Sequence, residues 1–85
     1  MIIIYLPVFG RMYKKLPIEV RKKAQVREKL FRVNPFDRSL ETHKLHGRLN
    51  GLWAFSIDNK NRIVFRFEGD DVVKFYFIGD HSVYE

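Results

Sequence analysis

Residues 53–79 read WAFSIDNKNRIVFRFEGDDVVKFYFIG. A period of two runs through them. Trp53, Phe55 and Ile57 alternate with Ala54, Ser56 and Asp58. After the turn-forming DNKN, Ile63, Phe65 and Phe67 alternate with Arg62, Val64 and Arg66. After EGDD, Val73, Phe75 and Phe77 alternate with Val72, Lys74, Tyr76 and Ile78. Such alternation marks half-buried strands, and short turns between neighbours imply an antiparallel meander. One face is aromatic and must be covered. The other carries Ser56, Arg62 and Arg66, with Tyr76 as a further candidate, and stays at least partly open.

The N-terminal half supplies the cover. Ile2, Ile3, Ile4 and Tyr5 form a β-branched and aromatic run that ends at Pro7. Pro7 suits a first helical position, and Phe9, Met12 and Tyr13 then fall on one side of a short helix. Pro17 marks the start of a second, because the residue before a proline disfavours helix. Along PIEVRKKAQVREKLFRV and the Leu16 just before it, Leu16, Val20, Ala24, Leu30 and Phe31 share a broad apolar arc at 100° per residue. Arg21, Lys22, Gln25, Glu28, Lys29 and Arg32 fill the opposite arc, and Asn34-Pro35 ends the helix. Residues 34–52 have no clear period and read as a loop. The expectation is one α+β domain over 1–85, with helices packed on one face of an antiparallel sheet, in the order β-α-α-β-β-β.

Composition narrows the chemistry. The 85 residues are enough for one small domain, and eight phenylalanines allow a compact core. Cysteine is absent, which removes disulfides and thiolate metal sites and is compatible with a cytoplasmic home. MIIIYLPVF lacks a basic flank and is too short to span a bilayer, so it reads as a strand and no membrane partner is expected. The net charge of +6 is unevenly spread. Residues 1–48 hold twelve of the sixteen Lys/Arg against four acids, while residues 49–85 hold four against six. One side of the surface is strongly cationic, which suits a polyanion or an acidic protein.

The loop before Trp53 reads THKLHGRLNGL, with His43, Lys44, His46 and Arg48 among two glycines. In a meander this loop can lie near the tail GDHSVYE after the last strand. His43, His46, Arg62, His81 and Tyr84 then converge on a shallow basic groove. Cleaving RNA without a metal needs a base for the 2′-hydroxyl, a cation for the phosphorane and an acid for the leaving oxygen. Imidazole can serve as either base or acid near neutral pH. The bland readings stay open beside this one. Surface histidines are commonly inert, Arg62 can cap its turn or pair with Asp58, and Tyr84 can simply pin the tail. His43 and His46 lack a third ligand at metal-binding spacing, so neither a metal nor a cofactor is expected.

KLHGRLNGLWAFSIDNKNRIVFRF, the following apolar strand and IGDHSVY resemble the RelE/ParE superfamily of type II toxin–antitoxin toxins, nearest its RelE, YoeB and YafQ ribonuclease branch. YKKLPIEVRKKAQ is similar to the family's N-terminal half, so the resemblance covers essentially the whole chain. It implies a microbial-ribonuclease-like α+β fold and a metal-independent toxin that cuts mRNA, typically in the ribosomal A site. It also implies a cognate antitoxin protein that wraps the toxin. By position, His43 falls where relatives place a histidine or glutamate general base. Arg62 matches an arginine on the scissile phosphate, and His81 a tail histidine of acid or phosphate chemistry. Tyr84 matches a C-terminal aromatic that supports stacking or proton transfer. Lys44, His46, Arg48 and Arg66 are assigned to RNA contact from the local density of cations. Two alternatives remain: a ParE-like toxin that poisons DNA gyrase on the same fold, and a non-catalytic basic module that binds nucleic acid or a partner.

Overall fold

Pro7 and Pro17 punctuate the N-terminal half as the sequence suggests. The structure, a computed structural model, describes residues 1–84. Strand β1 (Ile2–Tyr5) leads into α1 (Pro7–Lys14) and then α2 (Ile18–Val33). Pro7 occupies the first turn of α1, where its missing N–H costs nothing. After a connecting stretch come β2 (His43–Lys44), β3 (Trp53–Ser56), β4 (Arg62–Gly69) and β5 (Val72–Gly79).

The sheet order is β1-β5-β4-β3-β2. β3, β4 and β5 form the expected antiparallel meander. β1 joins β5 in parallel, a pairing that needs a long crossover, here supplied by the two helices and the three strands between them. The fold is thus α+β, with the helices on one face of a mostly antiparallel sheet. The expected loop over residues 34–52 contains more than loop. It holds short 3-10 helices at Arg38–Leu40 and Gly47–Leu49, and β2 pairs antiparallel with β3. Two residues are too few to show a period, so composition alone hides this strand.

The covered face is aromatic. Phe31 of α2 stacks on Phe55 with ring centroids 4.6 Å apart and meets Phe65 edge-on at 4.9 Å. Phe31, Phe55, Phe65 and Phe75 are completely buried. Burying one such ring contributes about 1.5–3 kcal/mol, so this cluster fixes how α2 sits on the sheet.

In β5 the alternation changes phase. Val64 pairs with Phe77 and Phe65 with Phe75, which leaves Tyr76 as a bulged extra residue. Ile78 therefore lies in the main core, and Phe77 turns to the other face. This corrects the strict period of two expected through Phe77 and Ile78. The other face has a small core of its own, in which Ala54, Val64 and Val83 are packed by Met12, Leu45, Leu52, Phe77 and Tyr84. The tail thereby folds back over the sheet.

Candidate functional site

Arg62 opens β4 and points to the tail-covered face, opposite its neighbour Ile63 in the main core. The preceding turn is built by Asp58. Its Oδ1 accepts hydrogen bonds from the backbone N–H of Lys60 (2.9 Å) and of Asn61 (2.8 Å). Burial pulls the Asp58 carboxyl upward. These N–H donors, the Asn61 amide and the Lys23 ammonium outweigh it and hold the carboxyl below its ordinary value. Arg62 does cap this turn, but through backbone oxygens. Its Nη1 donates to the Asp58 carbonyl (2.6 Å) and the Asn61 carbonyl (3.1 Å), while the Asp58 carboxylate faces Lys23 at 3.6 Å. One nitrogen of the guanidinium is thus fixed, and the charge is not neutralised by a carboxylate among the described residues.

The tail brings Tyr84 to this guanidinium, with His81 in the same turn. Asp80 Oδ1 accepts from the Ser82 N–H at 2.9 Å and so starts the 3-10 turn His81–Tyr84. The His81 and Tyr84 rings lie 6.1 Å apart. The Tyr84 hydroxyl is buried and has no hydrogen-bond partner among the described residues. Burial pushes its pKa up, and the adjacent Arg62 guanidinium opposes the rise. An Asp-x-Ser cap before an aromatic is a legible signal, so Asp80 was available to sequence reasoning.

His43 occupies β2 opposite Ala54, and directly paired residues of antiparallel strands face the same way. His43 therefore lies on the face of Ala54, Val64, Val83 and Tyr84, on the outermost strand. Its Nδ1 is 2.8 Å from the Glu41 carbonyl oxygen. Glu41 Oε1 in turn accepts from the Ser56 hydroxyl at 3.0 Å, and Ser56 is the register partner of Arg62. Glu41 was not singled out from the sequence, and Ser56, expected on the partly open face, is buried. Arg66, register partner of Lys74, lies on the same face, with Glu68 3.9 Å from Arg66 and 3.7 Å from Lys74.

The structure divides the expected groove. His43, Arg62 and Arg66 share one face of the sheet, and the turn that carries His81 and Tyr84 packs on it through Val83 and Tyr84. Lys44, opposite Trp53, turns to the other face, with its ammonium 5.5 Å from the Trp53 ring centre. Lys44 and His46 line a separate edge cleft with Trp53 and Phe67. Arg48 sits exposed on the 3-10 turn Gly47–Leu49. A third cleft, of about 480 Å³, lies between β1, α1 and α2, remote from all of these residues. Among the described residues, no group of three or more His, Cys, Asp or Glu is placed to hold a metal ion, and no helix is long and apolar enough to cross a membrane.

No protein-family model and no curated protein matches the sequence. Solved structures do match. The chain is similar to a YoeB/ParE toxin from Agrobacterium tumefaciens, with a TM-score of 0.79 at 18% identity over 95% of this chain and 99% of that one. It is similar to YafQ from E. coli strain BL21(DE3), with a TM-score of 0.80 at 16% identity over 95% of this chain and 93% of that one. It is also similar to a chain of the YoeB-YefM complex from Staphylococcus aureus, with a TM-score of 0.75 at 22% identity over 93% of this chain and 94% of that one. Nearly end to end, the chain has the RelE-like fold of these toxins.

Proposed function

We propose that this chain is the toxin of a type II toxin–antitoxin pair and a metal-independent endoribonuclease that cuts mRNA on the ribosome and so stops translation. The observation that carries the proposal is the Arg62 guanidinium, fixed by two backbone carbonyls, paired with no carboxylate among the described residues and flanked by the Tyr84 phenol. His43 takes the proton of the ribose 2′-hydroxyl, whose oxygen attacks the adjacent phosphorus. Arg62 stabilises the charge of the phosphorane. Tyr84, or His81 beside it, protonates the departing 5′-oxygen. Arg66, Arg48, Lys44 and His46 contact the RNA. The shared fold with toxins supports this reading, and the basic N-terminal half suits an acidic segment of a cognate antitoxin. The working compartment is then the cytoplasm, where mRNA and ribosomes are.

Induced expression followed by mapping of mRNA 5′ ends tests the proposal. Growth arrest with new ends inside open reading frames, relieved by co-expressing the antitoxin, is the expected result. Arrest with intact mRNA and gyrase-linked DNA breaks makes the chain a gyrase poison instead. Intact mRNA and DNA, with binding retained, reduces it to a binding module.

A further inference from the structure

Glu41 is one of only two non-glycine residues with positive φ among the described residues, at φ 53° and ψ 40°. A residue with a Cβ enters this left-handed region at a steric cost, and Asn, Asp or Gly is the usual occupant. Glu41 is held there from both sides. Its N–H donates to the Arg38 carbonyl at 3.2 Å, closing the 3-10 turn. Its carboxylate accepts from the hydroxyl of Ser56, which is only 4% exposed. Arg27 of α2 ties the same two segments together, donating to the Ser56 carbonyl at 3.2 Å and to the Ser39 carbonyl. The outcome of this bracing is a carbonyl oxygen 2.8 Å from His43 Nδ1.

A carbonyl oxygen only accepts, so the neutral His43 ring must carry its proton on Nδ1 and keep Nε2 unprotonated. We propose that Glu41 is the positioning residue of the site: its left-handed backbone aims its carbonyl at His43 and fixes the tautomer whose Nε2 can accept a proton. This deepens the nuclease reading and rests on it for the use made of Nε2.

Imidazole ¹⁵N shifts of the full-length chain, recorded where His43 is neutral, read the tautomer directly. The expected result is the Nδ1–H form, against the Nε2–H preference of free histidine. Glu41→Gly, at ease in the left-handed region, keeps that form. Glu41→Val is β-branched and disfavours the region, so it yields a mixture. Its saturated single-turnover rate then falls by roughly 10²-fold with KM little changed, as expected of a misplaced catalytic group. Glu41→Gln retains an acceptor for Ser56 and the Nδ1–H form. Nε2–H in the wild-type chain overturns the proposal, and that measurement stands even if Glu41→Val does not fold. Collapse of the rate in Glu41→Gln with the tautomer intact also overturns it, since the carboxylate would then act in the chemistry itself. If the wild-type chain cuts no RNA while His43 keeps its proton on Nδ1, the nuclease reading falls and the positioning by Glu41 stands.

Discussion

The Tyr84 hydroxyl is buried beside the Arg62 guanidinium with no hydrogen-bond partner among the described residues. A buried hydroxyl that sits beside a guanidinium short of a full hydrogen bond gains little for folding from that position. Here the phenol and the guanidinium sit together at the start of β4, where a phosphate would meet both.

Tyr84→Phe removes the unmet hydroxyl and keeps the ring that packs on Ala54, Val64 and Val83. Stability should be unchanged or higher, by up to about 1 kcal/mol. Cleavage should fall by about 10²–10⁴-fold if the phenol protonates the leaving oxygen. Thermal unfolding and single-turnover cleavage, measured on the same preparation, check both halves. A destabilised variant that cuts normally would reduce Tyr84 to an anchor of the tail.

The same burial predicts an alkaline effect. Tyr84 has its pKa raised by desolvation, and Tyr5 by desolvation and by its hydrogen bond to Glu28. A folded-state pKa above the unfolded value means a contribution to stability that is complete below about pH 10 and is lost as pH rises through the folded value. Tyr84→Phe and Tyr5→Phe should therefore each flatten the fall in stability above about pH 10. Urea unfolding at a series of alkaline pH values reads this, and an unaltered slope in both variants contradicts it.

The Asp58 turn couples folding to Arg62. Asp58→Ala loses the bonds to Lys60 and Asn61, at about 0.5–1.5 kcal/mol each. Because the Asp58 carboxyl is held below its ordinary value, its contribution is present above about pH 4 and is lost as pH falls through the folded value. The gap between wild type and variant should thus close in acid. The turn also positions the carbonyls that hold Arg62, so the cleavage rate should fall further than the loss of folded protein accounts for. A stability gap that persists at pH 2 would place the effect elsewhere.

The cations separate by face, and binding should follow. Arg66 shares the face of Arg62, whereas Lys44 rests over Trp53 on the other. Arg66→Ala should weaken RNA binding and reduce the slope of log affinity against log salt by about 1. Glu68→Gln removes the carboxylate beside Arg66 and Lys74, and should strengthen binding. Fluorescence-anisotropy titrations with one RNA at several salt concentrations decide the matter. A larger loss from Lys44→Ala than from Arg66→Ala would move the RNA to the edge cleft.

The sequence declares its elements well where burial imposes a period. The three-strand meander, the apolar arc of α2 and both proline boundaries follow from spacing alone. Tyr76 shows the limit: nothing in VVKFYFIG marks the bulge, because each residue from Phe75 to Ile78 is apolar enough for either face. β2 is hidden because pairing of two residues depends on β3 and not on local propensity. The site is split for the same reason. In the string of residues 43–46, neighbours His43 and Lys44 look like one cationic patch, but a strand sends them to opposite faces. Glu41 was invisible because its role lies in a backbone angle.

The two loop histidines should part company. His43 lies at the sheet edge on the face that the tail packs against, with Nδ1 on the Glu41 carbonyl, so Nε2 is the nitrogen left for proton transfer. His46 lies in the edge cleft with Lys44, Trp53 and Phe67, apart from the face that carries Arg62, so under the proposed function it contacts RNA and not the scissile phosphate. Loss of a general base costs about 10²–10⁴-fold in rate, while loss of one hydrogen bond to RNA costs about 1 kcal/mol of binding. His43→Ala should therefore collapse single-turnover cleavage of a programmed ribosome at saturating toxin, with folding intact. His46→Ala should shift the apparent affinity by less than about tenfold and spare the saturated rate. His43 is exposed at the sheet edge, so its removal leaves no core cavity to confuse the result. A wild-type rate for His43→Ala, or a greater loss for His46→Ala, would pass the chemistry to His81 and Tyr84 and leave β2 as a clamp on the RNA.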